Sequence, residues 1–152
     1  MNVTVASRYW EDFDAGARYP TASRRITEED HLQFCKLVGY DVPLFLDEDY
    51  ARKTPFGGRI CPSALVMAFS TAMTGRLFRD TIVAQLSIEN GRFLAPVRPG
   101  DTLRTEVEVV EKKPTSDPGR AYVLFRDHVY NQDGVEVFHA DKAALIRRRP
   151  AK

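Results

Sequence analysis

Between Thr102 and Val110 the chain alternates without a break, with Leu103, Thr105, Val107 and Val109 on one side and Arg104, Glu106 and Glu108 on the other. A period of two predicts a strand with one face in a core and the other in water. Ala121 to Tyr130 and Val135 to Ile146 are two further long strands. Asn131-Gln132-Asp133-Gly134 joins them, and its Asp-Gly pair is a hairpin signal. Ile82 to Ile88 and Phe93 to Val97 are apolar runs, also predicted as strands. In the Ala121 strand both faces are bulky: Val123, Phe125 and Val129 oppose Tyr122, Leu124 and Tyr130. Part of its outer face should therefore be covered, with a second subunit as one candidate.

Elsewhere the period is helical. Gly16 to Ile26 reads as a connection and strand. Thr27 then stands three positions before Asp30, a helix-start pattern in which hydroxyl and carboxylate satisfy free amides. A helix from about Glu28 to Val38 follows, with Leu32, Cys35 or Phe34, and Val38 as its apolar face, and Gly39 where a left-handed residue would stop it. Tyr40 to Asp47 is a loop in which Pro43 biases Val42 toward extended backbone. Asp47 is placed to cap a short helical turn through Tyr50 and Arg52. Thr54-Pro55-Phe56-Gly57-Gly58 breaks the pattern again, and its two glycines allow a close backbone approach.

From Pro62 to Phe78 no charge appears before Arg76 and no face is clearly polar. Such a helix is buried nearly all round, and in a short chain the economical cover is a sheet wrapped around it. Lys112 to Arg120, with two prolines and Gly119, is an exposed loop. The fold class is α+β.

Composition narrows the function classes. A chain of 152 residues suits one domain, taken as residues 1–152, and 43% hydrophobic with 28% charged residues is the balance of a globular protein. A net charge of +1 gives no field for polyanions, and Arg147-Arg148-Arg149 reads as a solvated tail, so no nucleic-acid partner is expected. No stretch reaches the ~20 apolar residues of a membrane span, and MNVTVASRYWEDF lacks the regions of a signal peptide. The expectation is a cytoplasmic protein without a membrane partner. Cys35 and Cys61 are read as reduced and buried, and no Cys or His is paired at ligand spacing, so no metal is expected.

Three stretches carry a family resemblance. Ile26-Thr27-Glu28-Glu29-Asp30 through Gly39 is similar to the opening helix of the MaoC-like dehydratases, the group that includes the (R)-specific enoyl-CoA hydratases. Thr54 to Leu65 resembles the family segment Pro-Phe-Gly-Gly-Arg-Ile-Ala-His-Gly-Met-Leu. Asn90 to Leu103, which contains Phe93-Leu94-Ala95-Pro96-Val97-Arg98-Pro99-Gly100-Asp101-Thr102-Leu103, matches the phrase Phe-x-x-Pro-Val-x-x-Gly-Asp-Thr-Leu and is the most specific of the three. The resemblance implies a hotdog fold, a homodimer, an acyl-CoA substrate, and no cofactor beyond the CoA of that substrate.

The family signature Gly-Asp-x-Asn-Pro-Leu-His-x-Asp holds an aspartate and a histidine that activate water. Anchored on Gly39, Pro43, Leu44 and Asp47, this chain has Tyr40 at the aspartate, Val42 at the asparagine and Phe45 at the histidine. Hydration needs a base for water, an acid for the α-carbon and donors to the enolate oxygen. Phe45 supplies no proton, and Tyr40, with a reference pKa near 10, is a poor base at neutral pH but a competent donor.

Candidate residues follow from this alignment. Tyr40 is a candidate catalytic donor or a half-packed loop tyrosine. Asp41 is a substitute carboxylate if the loop shifts by one residue, and otherwise an exposed turn residue. Phe45, Gly58, Cys61 and Ser63 are the substrate-binding candidates. Cys61-Pro62-Ser63 replaces the family's Ala-His-Gly, so the amide that polarises a thioester carbonyl would belong to Ser63, at a helix N-terminus. Cys61 is alternatively a nucleophile with a lowered pKa, though a buried thiol is preferred. His31 is read as a surface residue beside Asp30, and His128 and His139 as packing or surface residues. The leading function is an acyl-thioester dehydratase or hydratase, with a non-catalytic acyl-CoA-binding module and a hotdog thioesterase as alternatives.

Overall fold

The computed structural model describes residues 7–151, so the first half of the N-terminal stretch judged against a signal peptide lies outside the described residues. Short strands β1 (Arg18–Pro20) and β2 (Arg24–Arg25) lead into α1 (Glu28–Val38), followed by the short helices α2 (Pro43–Leu46) and α3 (Glu48–Arg52). The central helix α4 (Ser63–Thr74) runs into a 3-10 turn, Gly75–Leu77. Four long strands complete the chain: β3 (Ile82–Phe93), β4 (Thr102–Pro114), β5 (Arg120–Tyr130) and β6 (Glu136–Arg147). The sheet is antiparallel in the order β1-β4-β5-β6-β3, with β2 also on β4.

Local chemistry sets the boundaries. The Thr27 hydroxyl accepts from the Asp30 amide, and the Asp30 carboxylate accepts from the Thr27 amide, so α1 begins in a full capping box. Gly39 stops it with φ 80°, a left-handed turn that a side chain would strain. Asp47 accepts from the Tyr50 amide to start α3. At the β5–β6 hairpin Gly134 takes φ 74°, and the Asn131 side chain accepts from the amides of Asp133 and Val135.

The inward side chains of β4, Leu103, Thr105, Val107 and Val109, are all buried, as the alternation requires. They meet two apolar clusters. Leu65 and Val66 of α4 pack with Ile26, Cys61, Val129, Val137 and Phe138, while Phe13, Val123, Phe125 and Ile146 close the other end under Trp10 and Phe78. Each such buried side chain contributes roughly 1.5–3 kcal/mol.

Several expectations need correction. Phe93 to Val97 is not a separate strand: β3 runs unbroken from Ile82 through Asn90-Gly91 to Phe93, and bulges against β6 absorb the irregularity, with Asn90 at φ 55°. Pro62 is the residue before the helix rather than its first residue, and α4 is not buried all round, since Ala64, Ala68 and Ala72 form an exposed stripe. Leu32 and Val38 of α1 are exposed, and its buried positions are His31 and Cys35. On the outer face of β5, Arg104 lies over the Tyr130 ring and Lys113 over the Tyr122 ring. Exposed apolar side chains also run along β3 and just beyond it, at Val83, Leu86, Ile88, Phe93 and Leu94.

Candidate functional site

The loop after α1 is held from beneath. The Tyr40 amide donates to the Cys35 carbonyl at 2.9 Å and finishes the helix cap, which turns the half-buried Tyr40 ring toward Phe45. The two rings meet edge to face with centroids 5.3 Å apart, and Phe34 adds a third ring 6.5 Å from Tyr40. Phe34 also packs on the core cluster that contains Leu65 and Cys61. Asp41 is exposed, outside this group.

His31 corrects the surface reading most sharply. It is wholly buried, and its Nε2 lies 2.8 Å from the Phe45 carbonyl. A carbonyl only accepts, so Nε2 carries the proton and donates, while Nδ1 is buried without a partner. With no exposed surface, His31 positions the loop at Phe45. A signal existed in the spacing, since His31, Phe34 and Cys35 share one helix face.

Arginines fix the second segment. Arg59 pairs with Glu28 of α1 at 2.8 Å and with Glu48 of α3 at 3.1 Å, tying both helices to the glycine loop. The Arg59 guanidinium holds the Glu28 carboxyl below its ordinary range against the opposing effect of burial. Arg98 donates to the carbonyls of Phe56 and Arg59. Gly58 is buried against these groups, and a Cβ there would lie 3.2 Å from both the Arg98 guanidinium and the Glu48 carboxylate. The close approach at Gly58 is thus made by the chain's own side chains. Arg59 and Arg98 were not singled out in the sequence, although both stand inside the stretches that carry the resemblance.

At the helix start, the Cys61 amide donates to the Val97 carbonyl at 2.6 Å, and the Cys61 thiol is buried in the core. Burial first, with Asp101 and Cys35 adding to it, pushes that thiol up to about 12, so it is no nucleophile at neutral pH. Its side chain faces the core rather than a ligand. Ser63 opens α4 on the surface. Pro62 offers no side-chain cap, no acidic residue sits in the first turn, and the first helical hydrogen bonds come from the amides of Leu65 and Val66. An uncapped helix start of this kind favours an oxygen carrying partial negative charge.

His128 and His139 lie on the outer sheet face, with His128 Nδ1 at 2.8 Å from Glu136. Among the described residues no group of three or more His, Cys, Asp or Glu side chains could hold a metal ion, and no helix is long and apolar enough to cross a membrane.

Comparison with known proteins bears on the family and the fold. Residues 13–124 match the MaoC like domain. An uncharacterised protein of Bacillus subtilis, YdeM, is 31% identical over 91% of this chain and 98% of its own length. A 3-hydroxybutyryl-CoA dehydratase of Methylorubrum extorquens is 31% identical over 70% of this chain and 66% of its own length. Among solved structures, the unliganded R-hydratase PhaJ1 from Pseudomonas aeruginosa superposes with a TM-score of 0.75 at 29% identity, over 93% of this chain and 86% of that one. A double hotdog protein of Mycobacterium tuberculosis, at 20% identity and a TM-score of 0.85 over all of this chain and 47% of that one, shows the fold.

Proposed function

This chain belongs to the MaoC-like dehydratase family, and from that membership we propose that it is a hydro-lyase acting on an enoyl- or 3-hydroxyacyl-CoA thioester beside Tyr40, Phe45 and the start of α4. The uncapped helix start at Ser63 carries the proposal. A thioester carbonyl set there would receive backbone N–H donors and the positive end of the helix dipole, and both strengthen as the oxygen gains charge on the way to the enolate. These donors belong to the backbone, so the change from glycine to serine leaves them in place. In this reading Tyr40 supplies a hydroxyl and Asp41 is the candidate carboxylate, while Phe45 walls the acyl group. CoA enters as part of the substrate and the reaction as proposed uses no further cofactor.

The proposed assembly is a homodimer. β3 is an edge strand with free backbone groups along one side, and its apolar side chains Val83, Leu86 and Ile88 are exposed. An edge of that length and character favours pairing with a second copy.

Ser63→Pro removes one amide donor and is expected to lower acyl-CoA turnover by roughly a hundredfold, the scale of a lost oxyanion donor. Unchanged binding and turnover in a folded variant would remove Ser63 from the site. The packed ring pair of Tyr40 and Phe45 favours a second reading, a module that binds acyl-CoA without turning it over. Saturable crotonyl-CoA binding with no loss of enoyl absorbance would identify that module.

A further inference from the structure

Beneath the C-terminal half of α4 lies a cavity of about 150 Å³ between helix and sheet, with no role in the site above. Its walls are mostly apolar: Phe78, Ile82, Val107, Phe125 and Ala144. One side is not. Lys142 of β6 donates to Asp127 of β5 at 2.5 Å and to the Thr71 hydroxyl of α4 at 2.8 Å, and both charged side chains are more than nine-tenths buried. Gln85, which also lines the cavity, is an exposed residue of the β3 edge.

Packing alone does not account for this pair. Taking two charges out of water costs several kcal/mol for each ion, and apolar residues of similar volume commonly hold a fold as well or better. An ammonium has three donors, and Asp127 and Thr71 take two. The third donor and the remaining acceptor capacity of the Asp127 carboxylate are available beside the cavity. A hydroxyl satisfies both, because it accepts from the ammonium and donates to the carboxylate. A carboxylate would set like charge against Asp127, and a methyl group would leave the ion pair facing hydrocarbon.

We propose that this cavity binds the hydroxyl end of a short aliphatic chain, with Lys142, Asp127 and Thr71 as its polar wall. That chemistry has two sources, the tail of an acyl thioester or a free aliphatic alcohol. The first rests on the acyl-thioester reading at Ser63. Thr71 lies eight residues further along α4, about 12 Å at the helical rise per residue, which suits a medium-length chain rather than a crotonyl group.

Calorimetry with octanoyl-CoA, ω-hydroxyoctanoyl-CoA and hexanediol tests it on the parent and two variants. Asp127→Asn with Lys142→Met removes both charges together, and Ala144→Leu fills the cavity while leaving them in place. Melting curves identify the folded variants. The hydroxylated thioester should bind the parent about tenfold more tightly than octanoyl-CoA, the scale of one hydrogen bond to a charged group. Both variants should lose that preference. Saturable hexanediol binding, lost in both variants and without any preference between thioesters, assigns the site to a free alcohol. Equal binding of the two thioesters with no diol binding overturns the inference and leaves the Ser63 reading standing. A hydroxyl preference that survives in both variants also overturns it. Diol binding lost in the variants, with neither thioester bound, supports the site and removes the acyl reading; silence from all three probes removes both.

Discussion

The two ends of α4 invert the arrangement that the family resemblance implies. At the N-terminal end, where the resemblance implies an acid and a base, Tyr40 and Phe45 pack ring against ring, and the helix start presents free backbone amides. At the C-terminal end, Thr71 meets a buried Lys142–Asp127 pair on the wall of a cavity. The contrast separates two kinds of function. Amides at a helix start survive any substitution that keeps the backbone, whereas ionisable side chains vanish with a single codon and arise elsewhere as easily.

The largest effect is expected where the C-terminal end is broken. Lys142→Met alone leaves Asp127 buried and uncompensated, a loss of about 3–5 kcal/mol in the unfolding free energy. Adding Asp127→Asn should restore most of it. Denaturant melts of the parent, the single and the double variants check this, and a single variant as stable as the parent would mean that water reaches the pair.

At the N-terminal end the comparison sharpens by writing the missing groups back. Tyr40→Asp with Phe45→His should raise crotonyl-CoA hydration above the parent, at the low end of the roughly hundredfold that placed proton transfer supplies. Val42 still stands at the asparagine position, and a new polar pair lacks a supporting shell. Fast hydration by the parent, untouched by Tyr40→Phe or Asp41→Asn, would move the acid and base away from this loop.

Ahead of both in the chain, the buried His31 holds the loop through the Phe45 carbonyl. His31→Leu deprives the Phe45 carbonyl of its donor and should cost about 1–3 kcal/mol. Amide exchange should quicken most from Val42 to Asp47. Exchange unchanged there would show that the bond at 2.8 Å adds nothing to the loop's order.

Much of this was legible in the sequence where the signal is local. Thr27 with Asp30, Gly39, Asp47 and the Asp133-Gly134 turn each act within a few residues, and each does in the structure what its chemistry implies. The strict alternation of Leu103 to Val109 fixed which face of β4 is buried. Long-range pairings were not legible. Asp127 sits on the inward face between Phe125 and Val129, and the partner that makes its burial tolerable is Lys142, which only the β5–β6 register brings alongside. The apolar runs of β3 stop at Ile88 because Glu89-Asn90-Gly91-Arg92 is polar, while pairing with β6 carries the strand through bulges to Phe93. Helical spacing puts His31 on one face with Phe34 and Cys35, but its partner, the Phe45 backbone carbonyl, leaves no mark in the sequence.

The smallest effect tests whether the inner pair differs in kind from its neighbour on the outer face. Arg126 pairs with Asp141 at 2.7 Å on the same two strands, with Asn90 adding a hydrogen bond, and the arginine side chain is 39% exposed. Arg126 holds the Asp141 carboxyl below its ordinary range despite partial burial, whereas burial pushes Asp127 above it despite Lys142. The signs are therefore opposite. A depressed carboxylate contributes stability that is present above its unfolded value, near pH 4, and is lost as pH falls through the depressed value. A raised one favours the fold at low pH and loses that contribution as pH rises through the raised value. Comparing the parent with Arg126→Gln cancels Asp127 and isolates Asp141. The parent should be more stable at about pH 6 by less than ~1 kcal/mol, since water and salt screen so exposed a partner. That gap should close in acid below the depressed value and shrink in about 1 M salt. A gap as wide in acid as at neutral pH would mean that the variant lost packing of the arginine stem over the sheet rather than the charge, and the outer pair would then be no electrostatic counterpart of the inner one.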